Sequence, residues 1–224
     1  MKSRISKYID NTLLDPTATE TEITKLISES IENGFASVCV NPCWTKFCSD
    51  KLKQADVDVV TVIGFPLGST TTAEKVYEAS EAIEAGTDEI DMVMNIGFFK
   101  SGKLADVSHD IQSVSKVAHD NNCKLKVIIE AGLLSDEEIV TACNIVRDAN
   151  ADFVKTSTGF LAGGATVHAV KLMKQTVGDQ LEVKAAGKIH NYTDAQKMVE
   201  AGATRLGASA GVQIVKEELS LINN

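Results

Sequence analysis

The sequence predicts an α/β fold in which eight strand–helix units close into a single (β/α)8 barrel domain over residues 1–224. Three observations carry that prediction. Short β-rich runs recur eight times along the chain. Between them lie stretches in which apolar residues return every three or four positions, the period of a helix with one buried face. The joints repeat as well: "IENGFASVCV", "IEAGTDEIDMV" and "VEAGATRLGAS" each end a helix on glycine and enter a strand soon after. Gly34, Gly86 and Gly202 then take the left-handed position just past a helix end, and Asn150 takes it in "RDANADFVKTS". Eight units in 224 residues is about 28 each, which matches a TIM barrel of typically about 250 residues. The rival doubly wound sheet usually carries a Gly-rich dinucleotide turn after its first strand, and this chain has none. No Pro-, Gly- or Ser-rich linker divides the chain.

In chain order the runs are "KYIDNTL" from residue 7, "ASVCVN" from 36, "VVTVIGF" from 59, "EIDMVMN" from 89, "KVIIE" from 126, "DFVKTST" from 152, "LEVKAAG" from 181 and "TRLGAS" from 204. The second holds Cys39, read as a small core or cleft residue rather than a nucleophile. Side chains alternate between the barrel axis and the helix layer along each strand. The fourth run therefore turns Asp91, Val93 and Asn95 inward and Ile90, Met92 and Met94 outward. The fifth opens on Lys126, a candidate inward lysine, with Glu130 as its expected partner. The sixth sends Lys155 inward and Val154 and Thr156 outward; the seventh sends Lys184 inward and Val183 and Ala185 outward. Stretches such as "TEITKLISESIENG", "TTAEKVYEASEAIEAG" and "NYTDAQKMVEAG" supply helices between the strands.

Composition narrows the function classes. Hydrophobic residues make up 44% of the chain, enough for a large core without staples. A net charge of −9, with no run of Lys or Arg, argues against nucleic acid, whose phosphates need a clustered basic face. A small anionic substrate is compatible with it, since a few local donors hold one phosphate. The five cysteines follow no disulfide framework and no signal core precedes them, so a reduced, cytoplasmic setting is expected. No His pair lies near Cys43 and Cys48 to complete a zinc site, and no segment has the length of a membrane span.

Two inward lysines on consecutive strands point to a specific chemistry. A lysine is nucleophilic only without its proton, and a neighbouring ammonium or partial desolvation disfavours the charged form. Lys184 would act in this way on Lys155. A free amine attacks a carbonyl to give an imine, and the protonated imine draws electrons out of a carbon–carbon bond, which is aldolase chemistry. Proton transfers at the cleaved hydroxyl and at the enamine carbon suit an inward carboxylate such as Asp91, acting directly or through water. A purely structural lysine–carboxylate network would present the same residues. Around the strand ends, "TSTGF", "LAGGAT", "AAGK" and "GASAG" are turns that offer backbone N–H groups to an anion, where barrels of this kind usually hold phosphate.

The runs "YIDNTLL", "SVCVNP", "TVIGFPLG", "DEIDMVMNIG", "KVIIE", "ADFVKTSTGF", "VKAAG" and "EAGATRLGASAGV" resemble the deoxyribose-phosphate aldolase family, from about residue 7 to residue 214. The resemblance implies a metal-free class I aldolase that needs no cofactor. It would interconvert 2-deoxy-D-ribose 5-phosphate with D-glyceraldehyde 3-phosphate and acetaldehyde, in deoxynucleoside breakdown. By motif, Lys155 forms the Schiff base, Lys184 lowers its pKa and Asp91 takes part in proton relay. The resemblance also places Thr12, Cys39 and Lys126 near the substrate, and Gly159, Gly187, Gly207 and Ser209 around the phosphate. Barrels of this family often form dimers, so a homodimer is expected.

Three positions depart from the family pattern. After "VKAAG" the family usually has a second Gly, a small aliphatic residue and Arg; this chain has Lys188, Ile189 and His190. A Cβ at Lys188 hinders close approach of the backbone to a phosphate, while its ammonium compensates. His190 cannot copy an arginine fork and loses its charge near neutral pH. The expectation is weaker and more pH-dependent handling of the phosphate. Asn11 stands where histidine is common, and retains a donor and an acceptor. His109, His119 and His168 are expected to be solvated, and the C-terminal "EELSLINN" to be too short to cap the phosphate. Two other readings stand beside the aldolase. A sugar-phosphate isomerase or epimerase would ask for a carboxylate or histidine pair or a metal, and an inactive sugar-phosphate-binding barrel rests only on the altered phosphate corner.

Overall fold

The computed structural model describes residues 5–161 and 163–222. A short 3-10 turn at Ile5–Tyr8 leads into β1 (Ile9–Leu13), α1 (Glu20–Asn33), β2 (Ser37–Val40) and α2 (Thr45–Leu52). There follow β3 (Asp58–Ile63), α3 (Thr72–Glu84), β4 (Glu89–Val93), a five-residue α4 (Ile96–Lys100) and α5 (Leu104–Asp120). The rest of the chain forms β5 (Lys124–Ile128), α6 (Asp136–Asp148), β6 (Phe153–Lys155), α7 (Val167–Val177), β7 (Glu182–Ala186), α8 (Tyr192–Glu200), β8 (Arg205–Ala208) and α9 (Gly211–Ile222). Each strand pairs in parallel with the next, and β8 pairs with β1, so the sheet is a closed eight-stranded barrel ringed by helices.

Local chemistry starts and stops these helices where the sequence signals it. Thr19 and Ser135 each accept from the backbone N–H three residues on, while Glu22 and Glu138 reach back to the cap backbone, closing two reciprocal caps. The repeated joints adopt the left-handed conformation, with φ of 64° at Gly34 and 61° at Asn150.

Two layers of side chains hold the barrel. Outside the sheet, Ile90, Met92, Leu125, Val127, Val154 and Val183 pack on helix residues such as Ile111, Val114, Ile139 and Val170, all buried. Each fully buried aliphatic side chain of this kind contributes about 1.5–3 kcal/mol. Inside, Cys39, Val60 and Val62 form a small apolar cluster with Leu14. The interior facing β1 and β4–β8 is charged instead: Asp10, Glu89, Asp91, Lys126, Lys155 and Lys184 are all at most 3% exposed. A buried pair also joins two helices, where Lys75 Nζ lies 2.5 Å from Asp110 Oδ2 and donates to Val93 O at 2.9 Å.

The differences from the sequence reading lie mostly at strand ends. The sixth run is a ladder only over Phe153–Lys155, after which Thr156 leaves the strand and its Oγ1 accepts from Ala186 N at 3.1 Å. Asn95, read as facing the axis, lies beyond β4 and caps α4, accepting from Phe98 N at 3.0 Å. The helix α4 itself was not foreseen, since five residues are too few to show a period.

Candidate active site

Register brings the two lysines together. Lys155 on β6 and Lys184 on β7 are direct cross-strand partners, and Asp91 on β4 is the partner of Lys126 on β5. All four side chains point to the axis, so Asp91 sits among three ammonium groups. Its Oδ2 accepts from Lys155 Nζ and from Lys184 Nζ at 2.7 Å each, and its Oδ1 accepts from Lys126 Nζ at 3.0 Å. Lys184 also pairs with Asp10, and Lys126 with Glu89.

The charges of these groups follow from their surroundings. Burial alone would push the Asp91 carboxyl up, but Lys126, Lys155 and Lys184 outweigh it and hold Asp91 well below the usual carboxylate range. Burial lowers the Lys155 pKa; Asp91 opposes this, Lys184 reinforces it, and the net shift is downward. Lys184 is equally buried, yet Asp10 and Asp91 together raise its pKa. Two adjacent lysines are thus driven apart, one toward the free amine and one toward a permanent ammonium.

Above this cluster, at the C-terminal ends of the strands, a cleft of about 460 Å³ opens to solvent, with Lys155 in its lining. Thr12, Gly159, Gly187, Lys188, Gly207 and Ser209 also line it. Gly187 adopts φ 82°, and a Cβ there would lie 2.9 Å from Gly164 Cα, so only glycine fits this turn. Gly207 clears room for its neighbour, since a Cβ would come within 3.3 Å of Lys184 Cε. Lys188 is exposed in the left-handed conformation at φ 61°, and its side chain runs back across Gly163 and Gly164. His190 is also exposed on the cleft wall. Apolar cover comes from Phe160, which packs edge-on against Phe65 with ring centroids 5.3 Å apart.

Two residues that the resemblance places near the substrate are not among those that line the cleft. Cys39 and Lys126 are fully buried behind the cleft lining, and burial pushes the Cys39 thiol pKa up. Glu130 does not pair with Lys126; its Oε2 accepts from Thr158 N at 3.0 Å and Thr158 Oγ1 at 2.7 Å, which braces the turn after Lys155. Nor is every histidine simply solvated. His119 Nε2 lies 2.8 Å from Asp152 Oδ2, and His168 Nε2 lies 2.9 Å from Asp136. Asn11 donates to Ser30 Oγ at 3.1 Å.

Sequence reasoning left out Asp10, Glu89 and Arg205. The signal was available, because Glu89 and Arg205 stand two residues before the inward Asp91 and Gly207. Positions at strand N-termini, however, ordinarily serve stability rather than chemistry. Among the described residues no three His, Cys, Asp or Glu side chains gather as a metal-binding group, and no helix is long and apolar enough to cross a membrane.

A buried lysine in the lining of a cleft at the strand ends of a closed (β/α)8 barrel is the layout of a barrel enzyme. The chain belongs to the DeoC/LacD family of aldolases, whose model matches residues 5–219. It is 54% identical over 217 residues to the deoxyribose-phosphate aldolase of Streptococcus pneumoniae strain CGSP14, covering 97% of this chain and 98% of that one. It is 55% identical over 213 residues to deoxyribose-phosphate aldolase 1 of Staphylococcus aureus strain MRSA252, covering 95% and 96%. Among solved structures, a tetrameric deoxyribose phosphate aldolase from Aeropyrum pernix matches with a TM-score of 0.91 at 33% identity, covering 97% of this chain and 92% of that one. An aldolase designated QR15 matches with a TM-score of 0.93 at 41% identity, over 99% of each chain.

Proposed function

We propose that this protein is a class I aldolase that cleaves 2-deoxy-D-ribose 5-phosphate reversibly to D-glyceraldehyde 3-phosphate and acetaldehyde through an imine on Lys155. The observation that carries this reading is the Lys155 amine, lowered in pKa, beside Asp91 and Lys184 and facing the cleft. In its neutral form the amine attacks the aldehyde carbon of the open-chain sugar, and loss of water leaves a protonated imine. The electron pair of the bond between C2 and C3 then moves toward the imine as the C3 hydroxyl gives up its proton. Glyceraldehyde 3-phosphate departs, the enamine takes a proton at C2, and water releases acetaldehyde and restores the amine.

Lys184 repels the Lys155 ammonium and so favours the nucleophilic form. Asp91 has two tasks in this reading. It aims both lysines, and it stabilises the positive imine nitrogen by charge. A carboxylate held well below its usual pKa is a weak base, so its share in proton relay runs through water in the cleft rather than by carrying the proton itself. The phosphate end of the substrate rests on the turns at Gly159, Gly187, Gly207 and Ser209, with the Lys188 ammonium over it. Thr12 lines the same cleft from β1, the strand that pairs with β8.

Reduction with borohydride in the presence of acetaldehyde, followed by peptide mapping, tests the reading. An ethyl adduct on Lys155 that Lys155→Leu lacks is expected; adducts scattered over surface lysines would overturn it. In the same reading the enzyme works in the cytoplasm, in deoxynucleoside breakdown, as a homodimer. Sedimentation equilibrium separates a dimer from the tetramer known for the Aeropyrum pernix relative.

A further inference from the structure

Seven charged side chains meet inside the barrel, and their contacts trace a closed ring with one pendant group. From Asp91 the ring passes through Lys126, Glu89, Arg205, Asp10 and Lys184 and returns to Asp91, alternating in sign at every step. Arg205 holds Glu89 with two parallel bonds, at 3.0 and 3.1 Å, and reaches Asp10 at 2.8 Å. Lys155 hangs from this ring by its contact with Asp91. Three carboxylates face three cations, so the ring is neutral by itself; Lys124, half exposed to solvent, also reaches Glu89 Oε1 at 3.4 Å from outside it, and the Lys155 ammonium is the surplus buried charge. An unbalanced charge shielded from water is far more costly than a balanced set.

We propose that Glu89 and Arg205, at the end of the barrel away from the cleft, are positioning residues that set the proton affinity of Lys155 through the charge of the ring, Glu89 favouring the ammonium and Arg205 the free amine. The catalytic meaning of this control rests on Lys155 being the imine-forming residue. The groups that face the Lys155 amine are Asp91 from β4, Lys184 from β7 and the Cys39 thiol from β2. Lys126 and Asp10 stand behind them, from β5 and β1, while Glu130 from the turn after β5 is engaged by Thr158. Of the four cations, Lys126, Lys184 and Arg205 are raised in pKa, whereas Lys155 is lowered. A change in the charge balance is therefore answered by the proton on Lys155. Glu89 transmits it at short range, since it lies two residues below Asp91, about 7 Å along the strand.

The test removes one charge of each sign. Glu89→Gln deletes a negative charge and keeps the shape; Arg205→Met deletes a positive one, with Lys126→Met as the alternative deletion if the arginine variant does not fold. The Lys155 pKa is read by competitive acetylation with acetic anhydride across the pH range, quantified on the peptide that carries Lys155, which requires no turnover. Glu89→Gln should move it down and the positive-charge deletions should move it up, by about one unit each. The acid limb of kcat/KM should follow the same two directions. Shifts of one sign in both kinds of variant, or none in either, would overturn the proposal, because a merely structural role does not reverse with the sign of the deleted charge. If opposite shifts appear but no imine can be trapped on Lys155 of the native chain, the electrostatic control stands and its catalytic meaning falls.

Discussion

Replacing Lys188 by glycine separates two effects that the native residue combines. Lys188 follows Gly187 in the cleft wall and holds φ 61°, where a Cβ crowds its own carbonyl. That conformation costs about 1–2 kcal/mol for an ordinary L-residue. Lys188→Gly removes the strain but frees the unfolded chain, which takes back about 0.5–1 kcal/mol. The net expectation is a gain of about 0.5–1 kcal/mol, or roughly 1–4 °C in Tm for a chain of this size. Binding should move the other way. The exposed ammonium lies along Gly163 and Gly164 at the phosphate end of the cleft, and a partly solvated charge contact there is worth about 0.7–1.4 kcal/mol. The KM for the phosphorylated sugar should therefore rise about threefold to tenfold, while unphosphorylated deoxyribose is unaffected. Thermal unfolding and steady-state kinetics on both sugars read both effects. A variant that loses stability, or that weakens both sugars equally, would refute the reasoning.

Two further perturbations follow from the buried charges. Lys75→Met leaves Asp110 buried without its cation, and urea titration should show a loss of about 3–5 kcal/mol, most of it recovered in the double variant Lys75→Met/Asp110→Leu; equal midpoints for single and double variants would contradict this. Asp10, Glu89 and Asp91 all have folded pKa values below their ordinary ones. As pH falls below about 4.5 the unfolded chain takes up protons that these folded carboxylates refuse, so stability is fully present above about pH 5 and drains away below it. Urea midpoints that stay level down to about pH 3 would show that the ring does not behave as a set of buried ions.

How much of this was legible in advance differs from residue to residue. Asp91, Lys155 and Lys184 could be placed on one axis because side chains alternate strictly along a strand, so a one-residue error would have sent each of them into the helix layer. Glu130 and Lys126 were misassigned to each other for the same reason that made them look paired: they sit in one run, but the chain turns after Ile128 and carries Glu130 to the loop that follows β6. Cys39 and Lys126, placed near the substrate by the resemblance, are buried outside the cleft lining, and periodicity does not report depth along an axis. Inward is a direction, and only the stagger of eight strands says which inward residues lie at the mouth and which below it.

By itself the amino-acid order determined the eight strand–helix units, their boundaries to within a few residues and the inward placement of Asp91, Lys126, Lys155 and Lys184, because these depend on period, caps and turn residues that act over a few positions. The tertiary structure alone decided which charge meets which. Asp10 is joined to Arg205 across the closure of the barrel, and Glu89 is joined to the same arginine from a strand more than a hundred residues away. No local rule ties such positions together, and the pairing exists only once β8 has closed on β1 and excluded the water that would otherwise keep the charges apart.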